Sequence, residues 1–107
     1  MSAEAFVAFF GMRYEITIDE SEDNDDKRVQ AARKAGLQNY SGNFGGLEER
    51  YLLFIGSRLG LLGAENKSEV NLPWDELQTL METTKAKLHA AGLPGDPALY
   101  LQWEPDA

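Results

Sequence analysis

The residues best suited to bind an anion lie in and just after a glycine-rich segment, residues 38–49. Glycines there could present backbone N–H groups to a negatively charged ligand. Phosphate-binding loops of specific type open a helix, whereas this segment leads into an apolar strand pattern. The sequence therefore predicts mainly a wide turn, with the aromatic side chains folded onto the core. The alternative function is a small-molecule pocket or minor enzyme site for anionic ligands, lined by Tyr40, Asn43, Phe44, Arg50 and Arg58.

A second candidate is the acidic run over residues 19–26, where six of the eight residues are Asp or Glu. Lys27 and Arg28 follow where a calcium loop would need glycine and further ligands, so an EF-hand is disfavoured. The carboxylates can stabilise the start of a helix over residues 25–35, and they can also face a basic protein partner. The partner-binding candidates in this run are Asp19, Glu20, Glu22, Asp23, Asp25 and Asp26.

Residues that could support catalysis are few. The chain has no cysteine, which excludes disulfides, thiolate metal sites and cysteine nucleophiles. Its single histidine, His89, falls near the end of a predicted helix, and neither Ser41 nor Ser57 lies in a Gly-x-Ser-x-Gly elbow. We expect no catalytic residue, no metal ion and no cofactor, and a non-enzymatic function is favoured.

Composition limits the kinds of partner. The chain has 107 residues, of which 43% are hydrophobic, and its net charge is -8. This length and composition predict one globular domain over residues 1–107. Without a basic stripe, binding to nucleic acid or to an anionic membrane surface is not expected. No apolar run approaches the ~20 residues that span a bilayer, and the N-terminus lacks a basic signal region. A soluble, cytoplasmic protein is predicted.

Periodicity predicts the elements that would position these residues. Residues 5–18 alternate as a central strand, residues 51–62 form the most apolar stretch, and residues 98–104 alternate again. The middle stretch allows either a hairpin turning at 56–57 or one long strand that turns at 63–66 and returns over 68–72, and the second is preferred. Pro73 and Gly92 bracket a helix whose apolar stripe includes Trp74 and Leu88.

This order of elements predicts an α+β fold of the ferredoxin-like βαββαβ type. It is a two-layer sandwich, in which a four-stranded, mainly antiparallel sheet carries two helices on one face. The other face would expose apolar side chains in a monomer, and we assign these to partner binding: Val7, Phe9, Leu52 and Phe54. The predicted function is a non-catalytic protein-interaction or regulatory module that uses this open sheet face and the acidic loop. The predicted partner is a second copy in a homodimer or another, possibly basic, protein.

Overall fold

The computed structural model describes residues 5–23, 25–63, 69–93 and 95–105. In chain order its elements are strand β1 (Ala5–Ile16), helix α1 (Ile18–Ser21), helix α2 (Lys27–Lys34), strand β2 (Gln38–Asn43), a 3-10 turn (Gly46–Glu48), strand β3 (Tyr51–Leu62), helix α3 (Trp74–Ala90) and strand β4 (Ala98–Glu104). The strands form one sheet in the order β2-β3-β1-β4, and every neighbouring pair is antiparallel. The predicted α+β class with a four-stranded antiparallel sheet is confirmed.

The two central strands, β1 and β3, are each 12 residues long. Because β3 continues unbroken through Gly56 and Ser57, the prediction of one long strand is confirmed and the hairpin at 56–57 is wrong. Gly11 lies directly opposite Gly56. A Cβ atom on Gly11 would overlap the carbonyl oxygen of Ile55 and lie 2.8 Å from the Gly56 Cα. The paired glycines therefore allow a close approach of the two backbones.

The pairing of β1 with β3 shifts by one residue between Ala8 and Phe9. Ala8 lies opposite Gly60 and Phe9 lies opposite Arg58, so Leu59 is an extra residue on β3. This bulge reverses the alternation of side chains beyond it. As a result Leu61 packs on the opposite side of the sheet from Ile55, whereas uninterrupted alternation would place both on one face.

The second strand of the sheet is not the one that was predicted. Residues 38–43 form β2, which pairs with residues 51–56 of β3, although the sequence there indicated a loop. Of the predicted return strand, residues 64–68 lie outside the described part of the chain, and residues 69–72 are not in a strand. The composition of β2, Gln-Asn-Tyr-Ser-Gly-Asn, is typical of turns. It forms a strand because one edge of β3 offers unpaired backbone groups along its first six residues.

Helices α2 and α3 pack on the same side of the sheet, which we call the helix face. Val29 and Ala32 of α2 and Leu88 of α3 form one buried cluster with sheet residues, namely Met12, Leu53 and Ile55, and with Leu37. Gly36 has the positive φ of 75° expected at a helix C-terminus, and the N–H of Leu37 donates to the Ala32 carbonyl oxygen at 2.8 Å. The predicted end of α2 is therefore confirmed.

Only the C-terminal half of α3 is anchored to the sheet. Its buried residues are Thr84 and Leu88. Trp74, predicted to lie on the packing stripe, is 69% exposed. The first turns of α3 therefore contribute little apolar cover, and part of the helix face remains open.

The opposite side of the sheet, which we call the concave face, has its own core. Its fully buried side chains are Val7, Phe9, Leu52 and Phe54, each with 0% exposure. The prediction that these four are exposed in a monomer is wrong, because the sheet curls over them. In a flat four-stranded sheet the outer strands β2 and β4 would be about 14 Å apart. Here the hydroxyl of Tyr40 on β2 donates a hydrogen bond to the carboxylate of Glu104 on β4.

Candidate functional site

The aromatic residues of the predicted ligand pocket belong to the concave core. Phe44 is 8% exposed and its ring centroid lies 5.4 Å from that of Phe54. Tyr40 lies on β2 opposite Phe54, with its ring 6.2 Å from that of Phe44. These rings fill the inside of the curled sheet, so they support the fold and do not offer a free aromatic surface.

Asn43 holds the glycine-rich turn together. Its side-chain oxygen accepts hydrogen bonds from the backbone N–H groups of Gly45 at 3.0 Å and Arg50 at 2.9 Å, and its amide nitrogen donates to the Gly46 carbonyl oxygen at 2.9 Å. All these partners lie within the turn. The Asn43 amide is therefore occupied by backbone groups of the turn, and an anion could bind there only by displacing these hydrogen bonds.

The two arginines of the predicted pocket lie far apart on the sheet. Arg50 donates to the carboxylate of Glu15 at 2.8 Å, in a pair that is largely exposed. Arg58 lies eight positions further along the chain, which is roughly 25 Å for an extended strand. Its backbone N–H donates to the Gln38 side chain at 2.8 Å. The five predicted ligand residues are therefore not brought together around one pocket.

The contact between Tyr40 and Glu104, which we call the clasp, joins the two outer strands across the concave face. The carboxylate lies so close to the Cα of Gly42 that a Cβ there would overlap it. Burial raises the pKa of Glu104, and the hydrogen bond from Tyr40 opposes that rise. Burial, followed by the bond to Glu104, raises the pKa of Tyr40, which therefore remains a protonated donor at neutral pH. Glu104 was not among the predicted site residues, because its contact with Tyr40 depends on the curvature of the sheet.

The acidic run folds into a capped turn and the start of α2. Thr17 and Glu20 form a reciprocal capping box at α1. Asp26 is the N-cap of α2, where its side chain accepts from the Arg28 backbone N–H at 2.8 Å. Asp23 does not cap this helix, and its side chain instead accepts a hydrogen bond from the N–H of Asp25 at 2.8 Å.

Arg28 neutralises part of this acidic run. Its guanidinium lies 2.9 Å from the Asp26 carboxylate and 3.0 Å from that of Glu20. Hydrogen bonding from the Arg28 side chain is the main cause that lowers the pKa of Asp26. The remaining predicted partner residues of the run have exposed side chains: Asp19, Glu22, Asp23 and Asp25.

A row of apolar side chains is exposed where β4 meets β1. We call it the β4 strip, and its members with their exposed fractions are Phe6 (46%), Leu99 (52%), Leu101 (65%) and Trp103 (41%). Phe6 lies opposite Trp103, with ring centroids 5.0 Å apart, and Leu99 lies opposite Phe10. Opposed residues share a face, so the strip lies on the helix face, alongside Met12. The uncovered apolar surface is thus on the other side of the sheet from the one predicted.

Strand β4 also leaves one of its edges open, since it pairs with β1 alone among the described strands. Natural edge strands are commonly protected by charges, prolines or bulges. The sequence Ala-Leu-Tyr-Leu-Gln-Trp-Glu carries a charge only at its last residue, and its pairing with β1 is regular. The opposite outer strand, β2, is polar throughout except for Tyr40. The two edges of the sheet therefore differ in character.

A cavity of about 460 Å³ lies between α3 and β3. The oxygens of Ser57 and Thr84 are 2.7 Å apart, and the Thr84 hydroxyl donates to the Leu80 carbonyl oxygen at 2.6 Å. Ser57 is therefore the donor to Thr84, so its proton is not shared with a base. The other polar side chains of the lining are Asp75, Glu76, Thr79, Thr83 and Lys87. The Ser57–Thr84 pair fixes α3 on the sheet and does not activate a nucleophile.

The described ranges contain neither a membrane-spanning helix nor a cluster of metal ligands. No helix there is both long and apolar enough to cross a bilayer. In the same parts of the chain, no three His, Asp or Glu side chains are grouped as ligands for a metal ion. Comparison with protein-family models, with curated proteins and with solved structures finds no match for this chain.

Proposed function

We propose that this protein is a non-catalytic interaction module that forms a homodimer through the β4 strip. The observation that carries the proposal is the position of the strip, which joins four exposed apolar side chains to an open strand edge. Together these residues expose roughly 400 Å² per copy, which is within the range of the largest apolar patches on monomeric proteins, and such patches are often functional. A standard interface buries about 800 Å² per partner, so the strip supplies at most about half of it and the open edge of β4 must supply the rest.

The net charge determines how dimerisation should respond to salt. The net charge of the chain is -8, so two copies repel each other at long range. The β4 strip contains no charged side chain, and it is therefore the kind of surface on which like-charged molecules can meet. Dimerisation should strengthen as salt screens the repulsion. Binding of a basic partner to the acidic run would instead weaken with salt, so the sign of the salt effect separates the two kinds of partner.

The interpretation as a ferredoxin-like βαββαβ sandwich belongs to the same proposal. The strand order β2-β3-β1-β4 supports it, because α1 and α2 connect β1 to β2 while α3 connects β3 to β4. Each of these connections joins strands separated by one intervening strand, as in a split βαβ unit. The single turn α1 is an addition to that pattern. The cytoplasmic location expected from composition stays a prediction.

The test is the mass of the protein in solution. Sedimentation equilibrium at tens of micromolar should give a dimer for the wild type and a monomer for Leu101→Asp, because a dimer would bury the new carboxylate. Leu47→Asp is the matched control, since Leu47 is 97% exposed and lies in the 3-10 turn, outside the strip. It should remain dimeric, and circular dichroism should show that both variants are folded.

Two results would contradict the proposal. A wild type that sediments as a monomer at these concentrations would exclude a homodimer of useful affinity. A Leu101→Asp variant that dimerises as well as Leu47→Asp would place the interface elsewhere. The anionic-pocket alternative has its own readout, since a bound ligand would raise the melting temperature.

A further inference from the structure

We infer that the two copies join by antiparallel pairing of β4 with β4, with Leu101 on the two-fold axis, to form one continuous eight-stranded sheet. This inference rests on the proposed homodimer and specifies its geometry. It follows from the alternation of side chains along β4, from the positions of two prolines and from the absence of opposed like charges within the paired segment.

Alternation restricts which registers are possible. Directly opposed residues of an antiparallel pair point to the same face of the sheet. Leu99, Leu101 and Trp103 point to the helix face, whereas Tyr100 and Gln102 point to the concave face. A slip of one residue would set each apolar side chain of the strip opposite a residue of the other face. Only registers that oppose odd-numbered residues keep the two strips continuous.

The positions of two prolines distinguish among the remaining registers. Pro97 and Pro105 flank β4 directly, and neither has a backbone N–H to donate to a ladder. With Leu101 opposite its own counterpart, Leu99 faces Trp103 of the second copy and the prolines face each other just outside the ladder. Centring the pair on Tyr100 would oppose Trp103 to Pro97, and centring it on Gln102 would oppose Leu99 to Pro105. Only the Leu101-centred register uses all seven residues of β4.

The concave side of the same register is also compatible. Tyr100 faces Gln102 of the second copy, and Glu104 faces Ala98. The carboxylates of the two Glu104 residues are therefore at opposite ends of the ladder, and each is held by Tyr40 of its own copy. No like charges are opposed, so nothing within the ladder works against the pairing.

The natural absence of cysteine allows a direct test by disulfide cross-linking. Opposed residues in an antiparallel pair have Cα atoms about 4.5 or 5.5 Å apart, and both distances suit a disulfide. Leu101→Cys should form a covalent dimer under mild oxidation at least about tenfold faster than Leu99→Cys, whose counterpart is displaced along the strand. Leu47→Cys reports the rate of random collisions. Sedimentation of each reduced variant shows whether it is a dimer before oxidation.

The outcomes separate this inference from the proposed function. If the reduced variants are dimers but Leu99→Cys cross-links as fast as Leu101→Cys, or faster, the register is wrong and the homodimer stands. If the reduced variants are monomers and so is the wild type, the homodimer itself fails. If only Leu101→Cys is monomeric, hydrogen exchange of the backbone amides in the wild-type dimer tests the inference instead. Protection of β4 amides that is lost on dilution supports edge pairing, and unchanged exchange overturns it.

Discussion

The clasp between Tyr40 and Glu104 should stabilise the fold most strongly when Glu104 is ionised. Tyr40→Phe removes one hydroxyl and leaves the half-buried carboxylate without its donor. Hydrogen bonds to charged groups contribute about 1.5–3 kcal/mol, and partial exposure places this one near the lower end, at about 1.5 kcal/mol. For a domain of this size the melting temperature should fall by about 7 °C at pH 7.5.

The pH dependence has a definite sign. Burial raises the pKa of Glu104 above its ordinary value, and loss of the Tyr40 hydroxyl, which opposes that rise, should raise it further. When folding raises the pKa of a carboxyl group, stability is lost as the pH increases from the ordinary pKa of that group through its raised pKa in the folded protein. The variant should therefore differ most from the wild type at pH 7.5. The difference should shrink towards pH 4, where Glu104 is protonated in both proteins.

Tyr14→Phe provides the matched control for this experiment. The Tyr14 hydroxyl is buried and has no hydrogen-bond partner among the described residues, so its removal should leave stability unchanged or raise it slightly. Urea denaturation followed by circular dichroism at pH 7.5 and pH 4.5 gives both free energies of unfolding. An equal loss at the two pH values, or no loss relative to Tyr14→Phe, would refute the reasoning about the clasp.

Two further predictions concern the backbone and the acidic run. Gly11→Ala should destabilise the protein by about 3 kcal/mol or more in urea denaturation, because its Cβ would overlap the backbone of β3. Gly92→Ala is the control and should cost only about 1 kcal/mol, because there is open space around a Cβ at that position. Equal losses of stability in the two variants would contradict the close approach of β1 and β3. Asp26→Asn keeps a capping oxygen but loses the charge that pairs with Arg28, so about 1 kcal/mol should be lost at pH 7. Since Arg28 lowers the pKa of Asp26, this stability is present above the ordinary aspartate pKa and disappears as pH falls below it. The check is to measure the free energy of unfolding of both proteins as a function of pH. If it falls no more steeply towards low pH in the wild type than in Asp26→Asn, the ion pair does not contribute to stability.

The elements with strong apolar periodicity were predictable from sequence. The single long strand β3 and the C-terminal end of α2 follow from local patterns, because burial on both faces or a positive-φ glycine leaves few alternatives. Strand β2 was not predictable in this way. Its turn-like residues form a strand only because β3 is already in place beside them, and no local pattern records that neighbour.

The candidate site was the less predictable part, because it depends on curvature. Alternation correctly grouped Val7, Phe9, Leu52 and Phe54 on one face, but it does not reveal that outer strands approach each other over that face. Likewise, the alternation of Leu99 and Leu101 was visible in the sequence, but their exposure depends on how far the helices extend. Cover by a helix was assumed for the whole face, and α3 buries only Thr84 and Leu88.

The two cores on opposite faces of the sheet differ in how far they depend on helices. The helix-face core includes α2, which has eight residues and buries only Val29 and Ala32, so we expect local opening of this helix to cost less free energy than opening of the central sheet. The concave core is built from strands and the turn that follows β2, and its Phe54 ring lies 5.5 Å from that of Phe9 and 5.4 Å from that of Phe44. If the helices open transiently, the aromatic residues of the concave core should therefore stay shielded from water, and the sheet should keep its curvature.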